Sequence, residues 1–249
     1  MRFLTGGVFA LLITAGCLVL AQSERFISSQ PQPQEKLVLG VEWRLIRAGM
    51  VTIEKWPFET TVKLESAGIV STLMRIHDEY RVHFEDEHCA TSSVMESSEG
   101  KRHREANVTY DRSQNHAFFV ERDLTDNRIL KQSGTDIPNC VADVTGAVSK
   151  LRAMNLGVGQ TVQIPVSDGR KFAAVKVTAQ DREDVKTPLG VFKAIRYETD
   201  LMNGVVYTRK GNVWIWLSDD ARRLPVQIRL RTTFPISTVT LTLEKEEHR

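Results

Sequence analysis

Apolar and polar residues alternate along most of the chain beyond residue 35. The alternation is strict over residues 226–231, and over residues 36–47 apolar side chains recur at every second position. A period of two residues is that of a β-strand with one buried face. Similar short segments follow at close spacing, separated by turn sequences such as Ala-Gly at residues 48–49 and Thr-Pro-Leu-Gly at residues 187–190. The pattern predicts a mainly β fold, an antiparallel meander closed into a barrel-like or sandwich domain.

One segment instead has the period of an α-helix. Asp143 is a favourable N-cap residue, and we predict one short helix over about residues 143–154. Residues 69–76 also carry an apolar pattern, which fits a strand or a short helix, and periodicity does not decide between them. The apolar side chains on one face of the predicted helix are Val144, Ala147, Val148, Leu151 and Met154.

The N-terminus has the features of an export signal. Arg2 precedes an apolar run over residues 3–21, which ends in the small residue Ala21. This arrangement predicts a signal peptide of residues 1–21, cleaved after Ala21. Two alternatives remain open: lipidation at Cys17, and retention of the run as an anchor, since its length suffices to span a bilayer. The expected location is the periplasm or cell envelope, with a membrane tether under either alternative.

Composition indicates one folded domain after the signal. Residues 22–35 are mostly polar, contain two prolines and are predicted to be a linker, and residues 36–249 are predicted to be a single β-rich envelope domain. Apolar residues make up 41% of the chain, which is enough to build a core. The 33 basic and 31 acidic residues give a formal net charge of +2, or +1 once Arg2 is removed. This balance gives no general attraction to nucleic acid, and no nucleic-acid partner is predicted.

The predicted mature chain contains two cysteines, Cys89 and Cys140, which are 51 positions apart. An even number of cysteines in an exported protein favours a disulfide. In the chain-entropy model, a bond across a loop of this length adds about 4 kcal/mol to stability. We predict a Cys89–Cys140 disulfide; the alternative is two unpaired, buried thiols, and geometry decides between them.

Histidine, carboxylate and cysteine residues cluster at positions 77–89, and these are common metal ligands. His77 and His83 share one face of a strand, but at 3.3 Å per residue they lie about 20 Å apart, too far for one ion. His83 and Glu85 lie about 6.6 Å apart and need a third ligand from elsewhere. We interpret the segment as a solvated strand face and a charged loop, and predict no metal site.

Two adjacent carboxylates, Asp219 and Asp220, precede Arg222 and Arg223 between two candidate strands. Paired carboxylates serve acid–base catalysis in some enzymes. The alternative is a charged hairpin loop, in which the aspartates and arginines form surface ion pairs and have no catalytic role. The sequence contains no GxSxG, P-loop, HExxH or CxxC motif. We predict no catalytic residues and no cofactor.

The best indication of binding is a strand that is apolar on both faces. Trp214 and Trp216 alternate with aliphatic residues over positions 213–217, so either both faces are buried or one lines a cavity. Arg229 and Arg231 share one strand face and form a candidate patch for lipid headgroups or acidic polysaccharide. These four are the candidate ligand-binding residues; core packing and an ordinary exposed strand face are the alternatives.

Three segments carry a family resemblance. The runs TPLGVFKAIRYET (residues 187–199), VWIWLSDDARRLPVQIRL (residues 213–230) and KLVLGVEWRLIRAG (residues 36–49) are similar to the domain-of-unknown-function 3108 family of exported bacterial proteins. The resemblance spans about residues 36–243. It implies a periplasmic or envelope β-barrel-like domain, and it implies no activity and no catalytic residues. The two cysteines are not part of the family pattern.

Three classes of function fit these observations, in order of preference. The first is a binding or carrier module whose interior holds an apolar or amphiphilic envelope molecule, a lipid or a glycan; it predicts a cavity lined by Trp, Leu and Val side chains. The second is an assembly factor that contacts another envelope protein, which predicts a filled interior and an exposed apolar or edge-strand surface. The third is an envelope hydrolase, which predicts a concave cluster of titratable residues with shifted pKa values.

Overall fold

The structure, a computed structural model, describes residues 32–86, 88–201, 210–233 and 237–248. The predicted signal peptide, Cys17 and most of the predicted linker lie outside the described residues. No described helix has both the length and the apolar character needed to cross a membrane. The described residues belong to one compact unit, Gln32–Arg249.

Fourteen strands make up most of the described chain, together with two helices. The first eight strands are β1 (Glu35–Trp43), β2 (Ile46–Lys55), β3 (Glu59–Ser66), β4 (Ile76–Phe84), β5 (Ala90–Glu99), β6 (Arg102–Asp111), β7 (His116–Asp123) and β8 (Ile129–Asp136). The other six are β9 (Thr161–Ser167), β10 (Phe172–Thr187), β11 (Gly190–Thr199), β12 (Gly211–Ser218), β13 (Pro225–Thr232) and β14 (Ser237–His248). The helices are α1 (Gly68–Leu73) and α2 (Val144–Ala153), so the ambiguous segment is a helix and the fold has two helices where one was predicted.

The strands pair in chain order except at one junction. Neighbours pair antiparallel within β1–β8 and within β9–β14, and β1 pairs with β14, so two meanders join into one 14-stranded sheet. The predicted antiparallel meander is confirmed. The predicted closure is corrected: β8 and β9 are the outer strands, and no backbone ladder joins them in the described part of the chain. The fold is therefore neither a hydrogen-bonded barrel nor a two-sheet sandwich, but one sheet that curls around α2, as large twisted sheets do.

The segment before α2 lies across the opening between the two meanders. The Ala142 N–H donates to the Pro165 carbonyl at 3.0 Å, and the Ala142 carbonyl accepts from the Ser167 N–H at 3.0 Å, so Ala142 pairs with β9. On the other side, the Ala90 N–H of β5 donates to the Val141 carbonyl at 2.9 Å. Val141 and Ala142 therefore link β5 to β9. The Val141 carbonyl and both backbone polar groups of Ala142 have hydrogen-bond partners at a place where no sheet ladder among the described residues joins the two meanders.

The predicted disulfide is confirmed. Cys89, immediately before β5, is bonded to Cys140, and their Cα atoms are 5.0 Å apart. Cys140 precedes the Val141–Ala142 segment, and Cys89 is buried. The bond therefore fixes the chain that leads into α2 onto the first meander.

The predicted helix is confirmed as α2, with Asp143 as its N-cap. The Asp143 carboxylate accepts hydrogen bonds from the backbone N–H groups of Thr145 at 3.0 Å and Gly146 at 2.8 Å, which have no partner within the helix. Gly146 has no room for a side chain, because a Cβ there would lie 2.9 Å from Phe84 Cε1 and 3.1 Å from the His88 carbonyl oxygen. The helix therefore packs closely against the end of β4.

Three apolar clusters stabilise the fold. The first joins α2 to β9–β13, the second joins β4–β7 to the Val141–Ala142 segment, and the third joins β1 and β14 to β10–β13. Leu151 of α2 is 2% exposed and belongs to the first cluster. The helix is thus part of the core and not a surface addition.

Candidate functional site

An apolar cavity of about 330 Å³ lies between α2 and the second meander. Alternate residues of β9–β13 face it, because successive side chains of a strand point to opposite sides of a sheet, and α2 presents its apolar stripe from the other side. Thr199 is the one polar residue among the fourteen described residues that line it. The others are Val144, Ala147, Val148, Leu151, Ile164, Val166, Val175, Val177, Leu201, Val213, Ile215, Ile228 and Leu230.

Two further cavities continue from this first cavity along α2. The second cavity, of about 340 Å³, lies between α2 and β1–β5 and shares Val144, Val148 and Ile228 with the first. The third cavity, of about 490 Å³, lies between the start of α2 and β3–β7 and shares Tyr80 and Met95 with the second. We call the three cavities together the trough. It runs along both sides of α2 inside the curled sheet.

The third cavity carries charged groups that the first lacks. Arg104 Nη1 lies 3.0 Å from Glu121 Oε1, and Arg170 Nε lies 2.9 Å from Asp168 Oδ2. The Arg170 guanidinium carbon is 5.3 Å from the ring centroid of Phe119, within the range of a cation–π contact. Each guanidinium has five N–H donors, more than these contacts use. The trough thus combines apolar walls with a polar end.

The half-buried Tyr80 and the buried Asp143 form a polar pair in the wall of the third cavity. The Tyr80 hydroxyl donates to Asp143 Oδ2 at 2.9 Å. Burial raises the pKa of Asp143, and the hydrogen bonds from Gly146, Thr145 and Tyr80 offset part of that rise. Burial, followed by the nearby Asp143 carboxylate, raises the pKa of Tyr80 well above its ordinary value of 10.0. Tyr80 is therefore protonated at neutral pH and serves as a donor to the N-cap, not as a base.

The other end of α2 is fixed by a partly buried ion pair. Arg152 Nη1 lies 2.6 Å from Glu35 Oε2, and Arg152 Nη2 lies 2.7 Å from Glu35 Oε1. The same guanidinium donates to the carbonyls of Arg223 at 2.9 Å and Arg222 at 3.1 Å. Burial raises the pKa of Glu35, but the hydrogen bonds and positive charge of Arg152 outweigh it and hold that pKa below its ordinary value. Because both ends of α2 are anchored, the walls of the trough are preformed.

Comparison with known proteins assigns a family. Residues 41–244 match the family model DUF3108, described as a protein of unknown function. The chain belongs to the DUF3108 family. The resemblance that the sequence predicts over about residues 36–243 is confirmed. Among curated proteins, none matches this DUF3108 chain in sequence.

One solved structure shares the fold of this DUF3108 chain at low sequence identity, and a second is more distant. A β-barrel-like protein of the domain of unknown function DUF1849, from Brucella abortus, has a TM-score of 0.54 at 7% identity, and the match covers 88% of this chain and 98% of that chain. A DUF1089 family protein from Pseudomonas aeruginosa has a TM-score of 0.42 at 14% identity, over 74% and 90% of the two chains. The first likeness shows the fold alone, and the second is too distant to add to it.

The predicted ligand-binding residues of the DUF3108 chain do not line the trough. In β12, Val213 and Ile215 line the first cavity, so Trp214 between them faces away from it. Arg229 is the cross-strand partner of Trp214, and Arg231 lies two positions further on the same face; both arginines are exposed. The structure brings Trp214 and the two arginines together on the opposite side of the sheet, and their role in binding stays a prediction.

Trp216 is a core residue. It is 4% exposed, its indole N–H donates to Glu183 Oε2 at 3.2 Å, and its ring centroid is 5.3 Å from the Arg229 guanidinium carbon. The prediction that β12 is apolar on both faces is confirmed, but the aliphatic face lines the cavity. The aliphatic wall residues of α2 and β9–β13 were not predicted as binding residues from the sequence. The apolar stripe of α2 was the signal for them, because that stripe had to face something inside the sheet.

The metal-ligand types at positions 77–89 enter separate interactions. His77 Nδ1 lies 3.4 Å from a Glu65 carboxylate oxygen, and His83 Nδ1 lies 3.3 Å from one of Glu59. Cys89 is held in the disulfide and has no thiolate to offer. Within the described ranges, no three His, Cys, Asp or Glu side chains are grouped so that they could hold a metal ion.

Asp219 and Asp220 have different partners in the loop between β12 and β13. Arg182 Nε lies 2.8 Å from Asp219 Oδ2, and Arg222 Nη2 lies 2.9 Å from Asp220 Oδ2. Burial raises the pKa of Asp220, but hydrogen bonds from Arg222 and Ser218 outweigh it and lower that pKa. Each carboxylate is thus paired with an arginine, as in a charged surface loop.

Proposed function

We propose that the mature chain is an envelope protein that binds an apolar or amphiphilic molecule in the trough without catalysing a reaction. The observation that carries this proposal is the first cavity, about 330 Å³ walled by apolar side chains and Thr199. Protein interiors have few voids larger than a water molecule, and a cavity with so few polar partners holds water poorly. Its volume and polarity are typical of small-molecule sites.

The chemistry of the walls favours a lipid over a glycan. Each methylene group that enters the first or second cavity is stabilised by about 0.8 kcal/mol. Sugar hydroxyls buried there would lose hydrogen bonds to water without replacement. The third cavity offers Arg104 and Arg170 to a polar head. Glu121 and Asp168, which pair with these arginines, line the same cavity. An acyl chain with a polar head therefore matches the trough along its length.

Two features support export. Residues 1–21 have the pattern of a signal peptide, and a disulfide such as Cys89–Cys140 is typical of oxidising compartments. The mass of the chain recovered from the periplasm, compared with that of a chain cleaved after Ala21, tests this part of the proposal.

Uptake of a fluorescent fatty acid tests the trough. The delipidated chain from residue 22 is titrated with cis-parinaric acid, whose fluorescence rises in an apolar site, and palmitate serves as competitor. Ala147 lines the first cavity from α2, so Ala147→Phe places a benzyl group inside it. Ala153→Phe makes the same change at the exposed last residue of the same helix and is the matched control.

We expect saturable uptake by the wild type and by Ala153→Phe, and uptake weaker by about tenfold in Ala147→Phe, the effect of about 1.4 kcal/mol of lost binding. Circular dichroism checks that Ala147→Phe is folded, since overpacking costs about 1–3 kcal/mol of stability. Equal uptake by Ala147→Phe and the wild type would place the ligand elsewhere. No uptake by the wild type would contradict the proposal.

An edge strand favours a second candidate function, an assembly factor that acts through protein contacts. β8 is an outer strand, and its outer backbone groups have no ladder partner in the part of the chain that the structure describes. Ile129 at its start is 51% exposed. Such an edge accepts a strand from another protein. A partner bound there would slow amide exchange over residues 129–136 in periplasmic extract and leave fatty-acid uptake unchanged.

A further inference from the structure

Three connections adjoin one another at one end of the sheet. The Ala67 N–H donates to the Ala48 carbonyl at 2.8 Å, which places the segment that contains α1 beside the start of β2, close to the β1–β2 turn. The Gly100 N–H donates to the Arg75 carbonyl at 2.9 Å, which places the β5–β6 turn beside the end of that segment. We call residues 43–47, 67–75 and 99–102 together the rim.

The rim exposes large apolar side chains. Leu45 at the tip of the β1–β2 turn is 92% exposed, and Leu73 at the end of α1 is 82% exposed. Groups of exposed apolar side chains at one end of a fold are typical of surfaces that contact a protein or a membrane. The exposed large apolar residues of the rim are Trp43, Leu45, Ile46, Ile69, Leu73 and Met74.

The rim is also basic. Its five basic residues stand against one acidic residue, Glu99, a formal excess of four positive charges. Glu244, which pairs with Arg47, and the exposed Glu42, which precedes Trp43, lower that excess to two. The Arg44 guanidinium carbon lies 5.5 Å from the ring centroid of Trp43, so charge and aromatic surface occur together. The basic residues, all exposed, are Arg44, Arg47, Arg75, Lys101 and Arg102.

The trough reaches the same end of the sheet. Leu64 and Asp78 line the second cavity two positions from the strand ends that flank α1, at Ser66 and Ile76. The third cavity has the same relation to the β5–β6 turn, since Ser97 and Arg104 line it two positions from the ends of β5 and β6. The rim therefore borders the trough.

We propose that the rim docks on the surface of an anionic phospholipid bilayer, so that the trough faces the lipid. That docking serves the transfer of a lipid to the trough rests on the proposed function, whereas the binding of the rim to the bilayer is independent of it. Apolar tips on separate turns insert between lipid headgroups, tryptophan is suited to the boundary between apolar and polar layers, and arginine and lysine are attracted to anionic lipids. The rim supplies all three chemistries.

Vesicle co-sedimentation tests the docking with the chain from residue 22, which lacks Cys17 and the apolar run and so cannot be anchored by them. Vesicles of phosphatidylethanolamine with phosphatidylglycerol are compared with phosphatidylcholine vesicles. Leu45→Ser/Leu73→Ser removes the two most exposed apolar tips. Leu189→Ser/Val191→Ser removes two exposed apolar side chains from the β10–β11 turn, at the opposite strand ends, and is the matched control.

We expect binding to the anionic vesicles that weakens with added salt, and a partition coefficient about tenfold lower for the rim variant and unchanged for the control. Brominated lipids should quench Trp43, and the quenching should be lost in Trp43→Phe. Equal binding by both double variants, equal binding to both vesicle types, or self-association in place of vesicle binding would overturn the proposal. If fatty-acid uptake persists in that case, the docking alone is wrong; if uptake fails while docking holds, the proposed function alone is wrong.

Discussion

Removal of the Cys89–Cys140 disulfide should be strongly destabilising, because the bond closes a long loop. The variant Cys89→Ala/Cys140→Ala frees two residues that are 51 positions apart. In the chain-entropy model, a loop of this length lowers the entropy of the unfolded chain by about 14 cal/mol/K, which is about 4 kcal/mol at 25 °C. Cys89 is buried, so lost sulfur contacts add a smaller cost, of the order of 1 kcal/mol. We expect the free energy of unfolding to fall by about 4–5 kcal/mol.

Urea unfolding followed by tryptophan fluorescence measures this loss. With an m-value of about 2 kcal/mol/M, a loss of 4 kcal/mol lowers the midpoint by about 2 M. The m-value should rise, because an unfolded chain without the cross-link exposes more surface. The wild type unfolded in a reducing agent is the control and should agree with the variant. A loss below about 1 kcal/mol with an unchanged m-value would show that the bond does not constrain the unfolded chain.

Two further predictions concern the anchor of α2 and the tryptophan face. Glu35→Gln should lower the free energy of unfolding at neutral pH by about 2 kcal/mol, because Arg152 loses its charged partner. Burial raises the pKa of Glu35, but Arg152 outweighs it and holds the pKa below 4.5; the stability from this carboxylate is therefore complete above that value and is lost as pH falls through the lowered pKa. The difference between Glu35→Gln and the wild type in urea unfolding should vanish in acid, and a difference that does not change with pH would contradict this. Trp214→Ala should leave cis-parinaric acid uptake within about twofold of the wild type because Trp214 faces away from the trough, and a loss as large as that of Ala147→Phe would make Trp214 a binding residue.

Strands could be predicted where alternation is strict, and were missed where apolar residues are few. β5 has the sequence ATSSVMESSE, in which Val94 and Met95 are the large apolar residues, and its pattern did not predict a strand. It is a strand because it pairs along its length with both β4 and β6. Pairing with neighbours is a tertiary effect that local composition does not contain.

The first turn shows how backbone geometry can override turn composition. The sequence predicts a turn at residues 48–49, Ala-Gly, whereas the chain turns at Arg44 and Leu45, which have φ angles of 50° and 69°. Glycine, asparagine and aspartate favour such positive φ angles, so neither residue signals a turn. The long strand of residues 36–47 is therefore two strands, β1 and the start of β2.

The apolar character of the candidate site could be predicted from the sequence, but its position in the fold could not. The apolar stripe of α2 and the two apolar faces of β12 were both visible in the sequence. Which face of β12 meets α2 depends on how the sheet curls, and that in turn depends on the β1–β14 pairing and the Val141–Ala142 segment. These contacts join residues far apart in the chain, beyond the reach of periodicity.

Native mass spectrometry of the chain purified from its own periplasm without detergent shows whether the trough holds a molecule. We expect a stoichiometric added mass, released by organic solvent and identified as a lipid, that is present in Ala153→Phe and strongly reduced in Ala147→Phe. A wild-type mass that equals the bare chain with one disulfide, together with no uptake of cis-parinaric acid, would contradict this expectation.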